Sequence, residues 1–181
     1  MAESKFDTSG PEKLMKQLKE ALNTNVRGAK AGYLANDKGE IPYDEETPPT
    51  LEEIALWNEF GTETIPARPF LTRAQKSANL QCQKLVKARM EENADVEQIA
   101  KEIGAMLQDE IQQQITKGNF RPNAKITLDG GWMRSPNGKP FYIVGKKNHG
   151  TGSTHPLIDT GNLRQSVHWG LVTRDGDKLM E

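Results

Sequence analysis

Pro66 and Pro69, three residues apart in Ile65-Pro66-Ala67-Arg68-Pro69-Phe70-Leu71, limit this chain more than any other feature. Each lacks an amide hydrogen and pushes the residue before it into extended geometry. Neither a helix nor a central strand can run through them. The segment follows Trp57-Asn58-Glu59-Phe60-Gly61-Thr62, in which Gly61 closes an apolar run. The pattern predicts that 62–69 is held open and stiff and that a helix starts near Phe70. Three rings, two prolines and an arginine crowd this span, which offers no nucleophile, metal-ligand set or phosphate cradle. It points to architecture rather than chemistry. The planar fork of Arg68 can pair bidentately with a carboxylate, and Glu59 is the natural partner, in the same chain or across a subunit boundary. Trp57, Phe60 and Phe70 suit either a core or an interface, where aromatics and arginine dominate the binding energy.

The flanking sequence is mostly helical. Thr50-Leu51-Glu52-Glu53 has the form of a capping box, and Ile54, Ala55, Trp57 and Phe60 give a short amphipathic helix ending at Gly61. Leu71, Ala74, Ala78 and Leu85, with Cys82, mark a second helix to about Glu91. After Asn93-Ala94-Asp95, the residues Val96, Ile99, Ala100, Ile103, Leu107, Ile111 and Ile115 recur three and four apart, and Gly118 stops them. That is the cleanest helical period in the chain. Upstream, Gly10-Pro11-Glu12 begins a helix with Leu14, Leu18 and Leu22 on one face. Residues 26–35 form a strand, and the proline-rich, acidic 36–49 form a loop.

Beyond Phe120 the pattern turns to strands. Lys125–Leu128 alternates like a short strand, Asp129-Gly130-Gly131 turns it, and Phe141–Val144 follows the tight turn Pro136–Lys139 as part of a hairpin. Lys146 to His155 is a loop that stays mobile unless a partner orders it. Thr160-Gly161 opens a helical turn through Ser166, and 167–172 closes as a strand. The expected fold is α+β: a largely antiparallel sheet packed against two long helices. An N-terminal helix or arm occupies 1–25, and a single domain spans 26–181 with inserted loops at 36–49 and 129–155.

Balanced charge, net -1 with 27% charged residues, argues against a strongly basic nucleic-acid binder. Hydrophobic content of 35% is low for a self-sufficient domain of 181 residues and suits a subunit whose extended segments become ordered against neighbours. The lone Cys82 cannot close an internal disulfide. No apolar run approaches the roughly 20 residues of a membrane span, and Met1–Ser9 lacks the apolar core of a secretory signal. A cytosolic product without a membrane partner is expected.

The candidate chemical sites each have a simpler reading. His149, His155, His168 and Asp159 lie near the C-terminus, but their spacing is irregular for a metal site that needs fixed ligands. Asp159-Thr160-Gly161 echoes an aspartic protease half-site, yet it leads into a helix start, where Asp159 or Thr160 acts as a cap and Gly161 takes the turn. The acidic Asp44-Glu45-Glu46 with Glu52 and Glu53 fits solvation and helix-dipole complementarity better than a metal-dependent hydrolase. Arg134, Lys139, Lys146 and Lys147, interleaved with Trp132, Phe141 and Tyr142, allow at most non-specific contact with nucleic acid. No cofactor is implied.

Two stretches carry a family resemblance. The order helix, Asn58-Glu59-Phe60-Gly61-Thr62, Ile65-Pro66-Ala67-Arg68-Pro69-Phe70-Leu71, long helix resembles that of neck and tail-completion proteins of tailed bacteriophages. Pro156-Leu157-Ile158-Asp159-Thr160-Gly161-Asn162-Leu163-Arg164-Gln165-Ser166-Val167 is similar to the closing element of the same family. The two matches bracket residues 51 to 172. The resemblance implies a non-enzymatic virion protein, made in the host cytoplasm, that forms a ring of about six copies at the head–tail junction. Its partners are then other copies of itself, head-connector or neck proteins and tail-tube or terminator proteins, with non-specific contact to DNA in the channel. Trp57, Glu59, Phe60, Pro66, Arg68, Pro69, Phe70, Lys146, His149 and His155 are the expected interface residues.

Overall fold

The computed structural model describes residues 10, 12–13, 15–16, 19, 23–34, 49–135, 137–148 and 151–179. Leu14, Leu18 and Leu22, the acidic cluster 44–46 and His149 lie outside them, as does the loop 36–49 apart from Pro49. The fold is α+β, as the sequence predicts. Strands β1 (Val26–Gly32), β4 (His168–Thr173) and β5 (Gly176–Leu179) form an antiparallel sheet in the order β1-β4-β5. A separate antiparallel hairpin joins β2 (Gly131–Arg134) to β3 (Pro140–Ile143). The helices are α1 (Leu51–Phe60), α2 (Phe70–Glu91), α3 (Val96–Lys117), and the short α4 (Lys125–Asp129) and α5 (Asn162–Gln165).

Helix α3 lies across β1 and β4, and α2 packs along α3. Each long helix has 22 residues, about 33 Å at 1.5 Å per residue. The tight reversal between them places Asn93 in the left-handed region at φ 57°. The one-sided period of α3 buries Ile99, Ala100, Ile111 and Ile115. Ile111 and Ile115 share a core with Phe70 and Ala74 from the N-terminal turns of α2, closed by Leu157, Leu163 and Val167 from the C-terminal segment. Ala100 packs in a second cluster with Val26 and Leu171. Tyr33 stacks edge-on against Phe70 and donates its hydroxyl to Leu163 O at 2.7 Å. Burial raises that hydroxyl well above the ordinary tyrosine value.

Gly104 shows how closely α3 meets the sheet. A methyl added there would land on the Trp169 ring of β4. A mid-helix glycine costs roughly 0.5–1 kcal/mol relative to alanine, yet overpacking a close contact costs about 1–3 kcal/mol. Gly104→Ala is therefore expected to lower stability by about 1–2 kcal/mol, read as a lower urea midpoint at unchanged slope. A stabilised variant would show that the ring can move aside.

Two expectations are corrected and one is completed. Lys125–Leu128 is helical rather than a strand, because four residues of alternation also fit a single helical turn. The hairpin expected around Pro136–Lys139 is present, and the strand that enters its turn is Gly131–Arg134. The 62–69 segment is not held open. Thr62 N–H bonds Ile65 O at 2.8 Å, and Arg68 N–H bonds Asn58 O at 2.6 Å, folding the segment back onto the end of α1. Gly61 makes this possible: at φ 78° any Cβ would meet Ala67 N at 2.8 Å and Ile65 O at 2.9 Å. The result is an elbow between α1 and α2.

Candidate functional site

The buried polar side chains of the elbow, Glu59 and Arg68, find their partners inside the chain. The N-cap of α2 is Pro69, which offers no side-chain cap, and the first turn carries no acid. Glu59, reaching across from α1, supplies both. Its carboxylate accepts the N–H groups of Leu71 at 2.8 Å and Thr72 at 2.9 Å, and the Thr72 hydroxyl at 2.6 Å. These are the donors a helix start leaves unsatisfied, and the negative charge sits at the positive end of the helix dipole.

Arg68 therefore does not pair with Glu59, which corrects the expected bridge. Only 4% exposed, it donates Nη1 to Asn58 Oδ1 at 3.1 Å, Nη2 to Asn123 Oδ1 at 2.7 Å and Nε to Arg121 O at 3.2 Å. Asn58 is itself oriented by donating to Ile54 O at 2.8 Å. The arginine ties α1 to the connector behind α3 through neutral acceptors, and its burial lowers its proton affinity. Asn58 and Asn123 are partners of Arg68 that no spacing in the sequence pairs.

Lys146 does the same for the C-terminal loop. Its buried ammonium donates to His155 O at 3.1 Å and Ile158 O at 2.6 Å, while His155 Nε2 meets Gly118 O at 3.2 Å. Thr151 N–H also reaches Asp159 O at 2.8 Å. The described part of the loop is stitched by its own chain and needs no partner to order it, another correction. Gly161 stands at the start of α5 in the left-handed region, φ 92°, and Thr160 Oγ1 accepts Asn162 N–H at 3.3 Å. The Asp-Thr-Gly element is thus a turn into α5, with Gly161 rather than the expected Asp159 or Thr160 at the N-cap position. Among the described residues no three His, Cys, Asp or Glu side chains converge as a metal-ligand set.

Burial lowers the Lys146 ammonium, Asp159 opposes that shift, and Arg68 adds to it. The unfolded chain keeps its proton up to the ordinary value of 10.5. Between the lowered native value and 10.5, the unfolded state binds more protons, so stability rises with pH across that window. Wild-type stability minus that of Lys146→Met is expected to increase from pH 8 to pH 10. A flat difference would mean that the amine is as well solvated as in the open chain.

The expected interface residues now divide. Among those that the structure describes, Glu59, Arg68, Phe70 and Lys146 are buried within one chain, Pro66, Pro69 and His155 are half-buried, and Trp57 and Phe60 are exposed. Those two are not on the buried face of α1, contrary to the expected amphipathic pattern. Leu51, Ala55 and Glu59 face inward, leaving Leu56, Trp57 and Phe60 outside, with Phe60 73% exposed. A second apolar surface stands on the hairpin: Trp132, Met133, Phe141, Tyr142 and Val144 are all exposed. Contiguous exposed apolar surface of this kind marks sites of association. Separately, a cleft of about 640 Å³ opens beside Gly10 and Lys13 against Cys82, Val86 and Met90 of α2. Burial raises the Cys82 thiol, which disfavours the reactive thiolate. No helix of the described residues is long and apolar enough to cross a membrane. Comparison with family models, curated proteins and solved structures finds no match.

Proposed function

We propose that this chain is a structural subunit of a tailed-phage virion, forming a ring at the head–tail junction that completes the tail and joins it to the head connector. The observation that supports this reading is the elbow. Asn58, Glu59, Gly61, Arg68 and Phe70, residues that carry the resemblance to neck and tail-completion proteins, interlock there as one rigid joint. Their roles are mechanical, and the rings of α1 and of the hairpin are left facing solvent for neighbours.

The reading is tested by light scattering on the purified chain and by locating a tagged copy in assembled particles. A closed oligomer of about six copies and a label at the neck are expected. A label along the tail would assign the subunit to the tube or a scaffold. A monomer at hundreds of micromolar, with no label in the particle, would overturn it.

A further inference from the structure

Among the described elements the β2–β3 hairpin packs extensively on no other, and two-stranded hairpins alone are marginal in water. Its base is nonetheless fixed. Gly130 and Gly145 cross so tightly that a Cβ on Gly145 would run into the Asp129–Gly130 peptide, and Lys147 Nζ pairs with Asp129 at 2.6 Å beside them. Strand alternation places Trp132 opposite Tyr142 on one face and Met133 opposite Phe141 on the other. Trp132 is 73% exposed, and its ring meets Tyr142 edge-on with centroids 5.5 Å apart. A stiff, ring-bearing knob is held out from the body, and among the described residues no other element covers its rings.

The outward side of α1 is a matching surface. Glu53, Leu56, Trp57 and Phe60 fall at i, i+3, i+4 and i+7, one stripe of the helix, and all four are exposed. The charges are opposite. Residues 131–143 contain Arg134 and Lys139 and no acid, whereas 51–64 contain Glu52, Glu53, Glu59 and Glu63 and no base.

We propose that the Trp132–Tyr142 face of one copy's hairpin docks on the Leu56–Trp57–Phe60 stripe of the next copy, with Arg134 and Lys139 toward Glu53 and Glu63. Knob and stripe are different surfaces, so the contact is heterologous, and repetition about a rotation axis closes a ring. This rests on the ring reading above and gives it a defined interface. Tryptophan, tyrosine and arginine at its centre are the residues that carry most binding energy at interfaces.

The test uses the full chain with Cys82→Ser. Phe60→Cys and Trp132→Cys are placed in separate preparations, each checked for native circular dichroism, then mixed under mild oxidation. Disulfide-linked dimer is expected only in the mixture, with Leu56→Cys plus Tyr142→Cys as a second pair. Trp132→Asp should raise the concentration needed for assembly at least about tenfold. Rings without cross-links in either mixture would overturn the docking while leaving the ring reading intact, and monomers throughout would overturn both. Cross-linking of Phe60→Cys to itself would replace the contact by a two-fold one and so overturn it. Binding of a fluorescent single-stranded oligonucleotide that is lost in Trp132→Ala, without cross-links, would assign the knob to nucleic acid instead.

Discussion

Replacing Arg68 by alanine is expected to cost about 3–4 kcal/mol of folding stability, because hydrogen bonds to a charged donor are worth about 1.5–3 kcal/mol each before the cost of desolvating the charge. Three acceptors lose their partner at once: Asn58 Oδ1, Asn123 Oδ1 and Arg121 O. The guanidinium they surround is only 4% exposed. Asn58 and Asn123 are half-buried and Arg121 is exposed, so water replaces part of what is lost and holds the cost below three full bonds. Arg68→Lys should recover little, about 1 kcal/mol at most, since an ammonium cannot present the planar fork that reaches all three directions. Urea unfolding of the two variants, read as midpoint shifts at constant slope, measures both effects. Equal stability of wild type and Arg68→Lys would show that only the positive charge matters. Asn123→Ala in each background adds a control. Its effect should largely vanish once Arg68 is gone, because the two side chains act through one bond.

Arg68 also marks the boundary of what the sequence makes legible. Its setting between Ala67 and Pro69 points to a residue with a fixed place, and it has one, but on neutral acceptors rather than the expected carboxylate. Its partners are not readable, because Asn123 lies 55 residues away and meets it only after α2 and α3 have folded back. Glu59 was the attractive partner because it is near in sequence and opposite in charge. The elbow sends it instead to the exposed amides of α2. The strong periods of α2 and α3 needed no tertiary information, since seven apolar residues three and four apart admit a single element type. Lys125–Leu128 offered too few residues to separate one helical turn from a strand. For α1, two apolar stripes compete around one short helix. Which turns inward is decided by the elbow, where Glu59 must reach α2, and this leaves Trp57 and Phe60 outside. The hairpin's rings were visible as residues, but their exposure on both faces follows from the absence, among the described elements, of a packed layer over β2 and β3.

Glu59→Ala is the second large effect, expected at about 3–4 kcal/mol. An ordinary N-cap contributes about 1 kcal/mol, but this carboxylate takes two helix amides and a threonine hydroxyl while 4% exposed. Each buried donor left without a partner costs about 1–3 kcal/mol. Glu59→Gln is the sharper probe. Its amide keeps the shape and one acceptor oxygen, but its NH₂ would face a donor already in place and the charge at the helix start is gone. It should therefore lose about 2–3 kcal/mol, nearer to alanine than to wild type. Thr72→Val removes one of the three donors alone and should cost about 1 kcal/mol in the wild type, with less effect in Glu59→Gln, where that bond is already compromised. Hydrogen exchange adds a local readout: the amides of Leu71 and Thr72 should lose protection in Glu59→Gln before those at the middle of α2. Unchanged protection at both amides, with stability within 0.5 kcal/mol of wild type, would show that the start of α2 is held by Phe70 packing alone.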